Sequence, residues 1–222
     1  MALNLIMLGP PGAGKGTQSE RFARSRGIPK ISTGDILREA VHDGTEIGKR
    51  AKAIMDRGEL VSDEVMIGIV GGRLSRPDAQ SGFILDGFPR TVAQAAALDG
   101  LMNGRDPLIV IDIVVPEEEL VRRLSTRLIC SNCGHNAPLG DGLAGGQCTL
   151  CGGELVQRAD DSQSIVLERL KVYRTNTKPL VDFYHARPTF RTVNGAQAPD
   201  RVAQDLVAAI EAAGNGAAGA QR

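Results

Sequence analysis

Directly after its first apolar stretch the chain carries Gly9-Pro10-Pro11-Gly12-Ala13-Gly14-Lys15, a glycine-rich run that ends on a lysine where a helical pattern begins. The amides of such a loop, backed by the positive end of a helix, can wrap a phosphate chain, and Lys15 adds a full charge within reach of β- and γ-phosphates. The next position, where many nucleotide-hydrolysing loops place a magnesium-binding hydroxyl, is Gly16, with Thr17 one place later. A magnesium ion here would rest on water and a distant carboxylate more than on a loop hydroxyl. The loop alone indicates nucleotide binding without choosing between a kinase and a switch.

A second constellation supplies that choice. Phe83-Ile84-Leu85-Asp86-Gly87-Phe88-Pro89-Arg90 ends an apolar strand on a carboxylate and then an arginine, and Gln94 follows four residues later. In an open parallel sheet the carboxyl ends of strands face the ligand crevice. Asp86 can there orient magnesium-bound water, Arg90 can clamp a phosphate, and the Gln94 amide can read a base edge. Thr33 and Arg38 add another hydroxyl and guanidinium. Arg123 and Arg127, four apart, are expected on one helix face, and Arg158 and Arg169 follow further on. Asp160-Asp161 is expected to cap the next helix and hinge the segment before it.

The four cysteines form two Cys-x-x-Cys pairs, Cys130/Cys133 and Cys148/Cys151, separated by fourteen residues, each pair followed by glycine. That is close to the two-knuckle spacing of structural zinc sites, and four thiolates leave no open coordination position. The metal expected is structural and non-catalytic.

The elements that must carry these residues alternate. Leu3 to Leu8, Phe83 to Leu85, Leu108 to Val115 and Phe190 to Val193 are predicted strands, separated by segments of helical spacing. The pattern predicts an α/β sandwich with a central parallel sheet and helices on both faces. Helices are predicted over Ile36 to His42, capped by Thr33 or Asp35, and over Glu117 to Arg127. Another runs from Asp161 until Pro179 kinks or breaks it, and the last spans Pro199 to Ala212. Leu128 to Leu155 is glycine-rich and aperiodic, an inserted module, and the small polar tail over 214–222 is expected to be disordered.

The whole chain, 222 residues, has room for one sizeable core with small inserts. Basic and acidic side chains balance at 26 each, so the bulk charge points to neither nucleic acid nor an anionic membrane, and any bound anion must be gripped locally. No apolar run approaches the roughly 20 residues of a membrane span, and the start lacks signal-peptide features, so the expected location is the cytoplasm.

The order Gly-Ala-Gly-Lys-Gly-Thr at 12–17, Ile-Ser-Thr-Gly-Asp at 31–35 and Asp-Gly-Phe-Pro-Arg at 86–90, with Gln94 at its spacing, resembles the adenylate kinases to about residue 213. The resemblance implies a single P-loop kinase domain with two inserts, an AMP-binding arm over 32–61 and a zinc-ribbon-like lid over 124–161. By the same resemblance Gly12, Ala13, Gly14, Lys15, Gly16, Thr17, Arg123, Arg127 and Gln197 would hold ATP. Thr33, Arg38, Gly87, Arg90, Gln94, Arg158, Arg169 and the backbone of Glu59, Leu60 and Val61 would hold AMP. Lys15, Asp86, Arg90, Arg123, Arg127, Arg158 and Arg169 would serve the transfer itself, with Mg²⁺ on ATP and structural Zn²⁺ in the lid. The implied reaction is ATP + AMP = 2 ADP by a monomeric enzyme that maintains adenine nucleotide balance. A kinase for another nucleoside monophosphate and an ATP-regulated zinc-ribbon protein on nucleic acid are the rival readings. The second leaves Asp86 to Gln94 unexplained, and the module lacks a dense basic and aromatic surface.

Overall fold

The computed structural model of the chain describes residues 2–137 and 145–219. Its order is β1 (Leu3–Leu8), α1 (Lys15–Arg26), β2 (Lys30–Ser32), α2 (Thr33–His42), α3 (Glu46–Met55), α4 (Asp63–Leu74), β3 (Gly82–Asp86), α5 (Val92–Leu101) and β4 (Leu108–Val114). There follow α6 (Glu117–Ser125), β5 (Leu128–Cys130), β6 (Leu155–Gln157), α7 (Gln163–Val172), α8 (Pro179–His185), β7 (Phe190–Asn194) and α9 (Pro199–Gly219).

Five strands form one parallel sheet in the order β2-β3-β1-β4-β7. Successive side chains of a strand point to opposite faces, and β1 shows the result: Leu5 and Met7 join one apolar cluster, Ile6 and Leu8 the other. The first face is covered by Phe22 of α1, Leu120 and Leu124 of α6, Val166 and Leu170 of α7, and Leu206 and Ile210 of α9. The second is covered by Val70 of α4, Leu98 of α5, and Leu180 and Tyr184 of α8. Both faces are thus dry, which is why the strands are near-continuous apolar runs instead of alternating ones. The chain leaves β1 toward β2 and β3 on one side, then crosses to β4 and β7 on the other. The carboxyl ends of β1, β3 and β4 therefore flank the switch point where open α/β sheets bind ligands.

Several boundaries differ from expectation. The three-residue strand β2 is too short to declare a period. Helix α2 is capped by Ser32, whose Oγ accepts from the Asp35 N–H at 3.2 Å, so neither Thr33 nor Asp35 is the cap. α6 stops at Ser125, leaving Arg127 beyond it. Pro179 breaks the long helix as expected, and the turn before it, Tyr173–Thr177, is wound as a π-helix. α9 continues to Gly219 instead of ending near Ala212, so most of the tail expected to be disordered is helical; residues 220–222 lie outside the described residues. The inserted module, aperiodic in sequence, contains the antiparallel pair β5-β6. Among the described residues no helix is long and apolar enough to cross a membrane.

Candidate active site

The loop after β1 turns through left-handed backbone that glycine alone adopts without strain. Gly14, at φ 91°, ends it and opens α1. Lys15 folds back over the loop, and its Nζ donates to the carbonyls of Gly9 at 2.7 Å and Pro10 at 2.9 Å. Desolvation lowers the Lys15 pKa to about 8, against the opposing pull of the Asp86 carboxylate and with further lowering from Arg90 and Arg169. A desolvated ammonium held near two guanidinium groups is a site arranged for an anion that supplies the missing negative charge.

Asp86 ends β3 opposite this loop. A Cβ at position 16 would stand 3.4 Å from Asp86 Oδ2, so the small residue there brings the carboxylate close to the loop. A second carboxylate gave no sign of a role in the sequence. Asp112 lies on β4 in register with Leu8, is buried, and has an Oδ1 with no hydrogen-bond partner among the described residues. Burial raises its pKa, and Lys15 acts in the opposite sense. The available signal was a carboxylate inside the apolar run Leu108 to Val115. Its orphaned oxygen and Asp86 form a donor set that suits a hydrated divalent cation, which prefers oxygen ligands and retains water.

On the other side of Asp86 the chain turns at Gly87, φ 81°. A Cβ there would approach Arg90 Nη2 and Thr33 Oγ1 to 3.0 Å each, so glycine is required by both conformation and space. The Gly87 carbonyl accepts from Thr33 Oγ1 at 2.8 Å and from Arg90 Nε at 2.8 Å. The backbone of Arg90 is fixed from two directions: Gln94 Oε1 accepts its N–H at 2.8 Å, and its carbonyl accepts from Thr177 Oγ1, in the π-wound turn, at 2.9 Å. Arg38 pairs with Asp35, and Glu59 with Arg57 at 2.7 Å. Thr33, Arg38, Glu59, Leu60, Val61, Gly87, Arg90, Gln94, Arg158 and Arg169 all line one cleft. The whole acceptor set inferred from sequence is thereby brought together.

The remaining arginines gather around two carboxylates. Asp161, buried, accepts from Arg127 Nε at 2.6 Å and Nη2 at 2.5 Å and from Arg169 Nη1 at 3.0 Å. Asp160 accepts from Arg158 Nε at 2.8 Å and Nη2 at 2.5 Å. Burial would raise the Asp160 pKa, but the guanidinium groups of Arg158 and Arg169 hold it well below the usual carboxylate range. These two aspartates hold arginines, and the expected cap on α7 is not made: Ser162 is its N-cap, with no side-chain hydrogen bond. Arg123 and Arg127 do not share a helix face. Arg123 donates instead to Glu119 at 2.7 Å and to the Gly195 carbonyl at 3.0 Å. Gln197, in the loop after β7, bonds to the Asn194 carbonyl and to Asp205, each at 2.9 Å.

The four cysteine sulfurs lie within 4.8 Å of one another, with Cys130–Cys151 at 3.4 Å and Cys133–Cys148 at 3.8 Å. These separations exclude disulfides, whose sulfurs sit about 2.05 Å apart. They match the edges of a tetrahedron with Zn–S bonds of about 2.3 Å, roughly 3.8 Å. The N–H groups of Cys133 and Asn132 point at Cys130 Sγ, and the hydrogen bond from Cys133 leads in drawing its pKa down to about 6. Gly134 and Gly152, at φ 70° and 71°, close the two turns. The cluster fits a structural zinc ion.

A glycine-rich phosphate loop at the switch point of a parallel sheet, facing a cleft rich in arginine, defines a P-loop phosphotransferase fold. The adenylate kinase family profile matches residues 7–189. The chain is 52% identical over 213 residues to an adenylate kinase of Archaeoglobus fulgidus, covering 94% of this chain and 98% of that one. It is 49% identical to one from Geobacter sp., covering 95% and 100%, and 47% identical to one from Thermodesulfovibrio yellowstonii, covering 94% and 99%. The chain belongs to the adenylate kinase family.

Proposed function

We propose that the protein catalyses reversible, magnesium-dependent transfer of the terminal phosphoryl group of ATP to AMP, giving two ADP. The observation that carries this reading is the cleft in which Thr33, Arg38, Arg90 and Gln94 meet Arg158 and Arg169, set beside the Lys15 loop. A phosphate oxygen of AMP attacks the γ-phosphorus, and the bond from that phosphorus to the β–γ bridging oxygen breaks. The acceptor brings its own nucleophile, so no side-chain base is needed, and catalysis rests on positioning and charge stabilisation. The two nucleotides together carry about six negative charges.

Residues 12–17, with Arg123, Arg127 and the backbone near Gln197, are assigned to ATP. Thr33, Arg38, Gly87, Arg90, Gln94, Arg158, Arg169 and the backbone of Glu59 to Val61 are assigned to AMP. Thr17, Asp86 and Asp112 would hold magnesium through its waters, and the ion supplies neutralisation of the ATP phosphates. Segments 32–61 and 124–161 act as arms that close over the nucleotides and exclude water, the competing acceptor. Asp160 holds Arg158, and Asp161 holds Arg127 and Arg169, in place for the phosphates. The protein works as a cytoplasmic monomer on ATP, AMP and ADP.

The test is a panel of acceptors at fixed ATP and magnesium. AMP should exceed UMP, CMP and GMP by at least about tenfold in kcat/KM, the discrimination that one good bidentate base contact supplies. Equal or better use of UMP or CMP would overturn the adenylate reading.

A further inference from the structure

Gln94 is almost fully buried, and its amide is held at both ends. Nε2 donates to Asp63 Oδ1 at 2.7 Å, and Oε1 accepts from the Arg90 N–H at 2.8 Å. The two partners have opposite and fixed senses: an ionised carboxylate only accepts, and a peptide N–H only donates. Rotating the amide by 180° would set oxygen against carboxylate and NH₂ against N–H, so one orientation is enforced. Asp63 is itself fixed, because its Oδ2 accepts from Thr91 Oγ1 at 2.9 Å while that hydroxyl accepts from the Gln94 N–H at 3.1 Å, closing a ring between the start of α4 and the start of α5.

An amide held this way has one N–H and one carbonyl lone pair left for the cleft that Gln94 lines. Adenine offers the complement, an amino donor at C6 and an acceptor at N1. Hypoxanthine and guanine offer the reverse, an acceptor at C6 and a donor at N1, and would need the rotated amide. We propose that Asp63 is a specificity-determining positioning residue, which locks the Gln94 amide in the sense that accepts 6-amino purines and rejects 6-oxo purines.

The inference rests on the adenylate reading and deepens it. Replacing Asp63 by Asn keeps the shape and the acceptor for Thr91, but its side-chain NH₂ can donate to a rotated Gln94 oxygen. The enforced orientation is then lost and only the Arg90 bond opposes rotation.

The experiment compares AMP with IMP, which differs at the 6-position and in the N1 proton, as acceptors at fixed magnesium and ATP. A bidentate base contact is worth about 1–3 kcal/mol of discrimination. Asp63→Asn should accordingly lower the AMP:IMP ratio of kcat/KM by about tenfold or more, through a higher KM for AMP and better use of IMP. Because both acceptors are assayed on one sample, the ratio is independent of the folded fraction. Asp63→Ser, whose hydroxyl can either donate or accept, provides the same comparison should the Asn variant not fold. In a Gln94→Leu background the Asp63 substitutions should leave the ratio unchanged. An unaltered ratio when Gln94 is present, or an equal drop in the Gln94→Leu background, overturns the inference. Failure of the unsubstituted protein to phosphorylate AMP at all would overturn the adenylate reading instead.

Discussion

Behind the acceptor cleft stands a layer of fully buried side chains, among them Phe83, Phe88 and Leu98, and the residues that line the cleft are tied to one another through Gly87, Gln94 and Thr177. Behind the four cysteines, among the described residues, stands only Leu155, with Leu128 and Ala137 partly buried against it. The first site follows from folding the main core, since the strands that bury Phe83 and Leu85 also set Asp86 and Arg90 at the crevice. The second has too little apolar surface to order itself, so its geometry has to come from a metal. The contrast separates positions where substitution should remove chemistry and leave the fold from positions where it should do the reverse.

Arg90→Ala puts that contrast under the greatest strain. Desolvation lowers the Arg90 pKa from the ordinary value, while Asp86 acts oppositely. Alanine keeps the backbone bonds to Gln94 and Thr177 and loses the Nε bond to the Gly87 carbonyl, which still accepts from Thr33. The transfer rate should fall by a factor on the order of 10³, as for other arginines that stabilise a transferring phosphoryl group, with the circular dichroism spectrum unchanged. A near-normal rate in a folded variant would show that Arg90 does not meet the acceptor phosphate.

A smaller effect is expected from pH. The Lys15 pKa is lowered to about 8 from an ordinary 10.5, so the free protein loses this charge as pH rises through about 8. kcat/KM for ATP, which reports free-enzyme ionisations, should fall about tenfold per unit above that pH. Stability moves the other way. Between about 8 and 10.5 the unfolded chain binds more protons, so the contribution of Lys15 to stability is full above 10.5 and is lost as pH falls through about 8. The charge the reaction uses therefore opposes folding near neutral pH. Lys15→Arg should flatten the alkaline limb, because a guanidinium does not titrate there. A native profile flat to high pH would remove Lys15 from ATP capture.

Legibility in the sequence follows the same division. Strands β1, β3, β4 and β7, the phosphate loop, the run from Asp86 to Gln94 and the metal spacing could be read because each is a local pattern, an apolar run, a glycine spacing or a cysteine spacing, whereas the rest of the acceptor set came by family resemblance. What could not be read depends on pairings distant in sequence. Asp160 and Asp161 look like caps because a carboxylate before a helix usually is one, and only the fold brings Arg127 and Arg169 to Asp161. Asp63 carries no signal, since its partners Thr91 and Gln94 lie at another helix. Asp112 passes as one polar residue in a buried strand. The extension of α9 over 213–219 is hidden because glycine, which weakens helices by about 1 kcal/mol relative to alanine, recurs through that segment.

The smallest effect on chemistry, and the clearest on order, is expected from Cys148→Ser. The cysteine cluster closes β5 and β6 against each other, and Cys148 is one of its two buried members. Four sulfurs fill the coordination shell, so the ion offers no open position to substrate. Its contribution is then to fold the module. The Ser variant should lose stoichiometric zinc and melt at a lower temperature, whereas at low temperature measurable transfer should persist. Lys15 and Asp86 lie on the main core, Arg38, Arg90 and Arg169 of the acceptor cleft lie outside the module, and Arg123 precedes the clip on α6. Elemental analysis of the purified, unchelated protein gives the first answer: less than about a tenth of a zinc per chain would remove the site, because four thiolates bind structural zinc tightly at neutral pH. Activity gives the second. Arg127 and Arg158 flank the strand pair that the cluster closes, one just before β5 and the other just after β6, and each is held by its own aspartate. Those ion pairs do not pass through the metal, so they should survive its loss wherever the module still folds. Complete loss of transfer in a variant folded at the assay temperature would show instead that the clip sets the position of these two arginines directly.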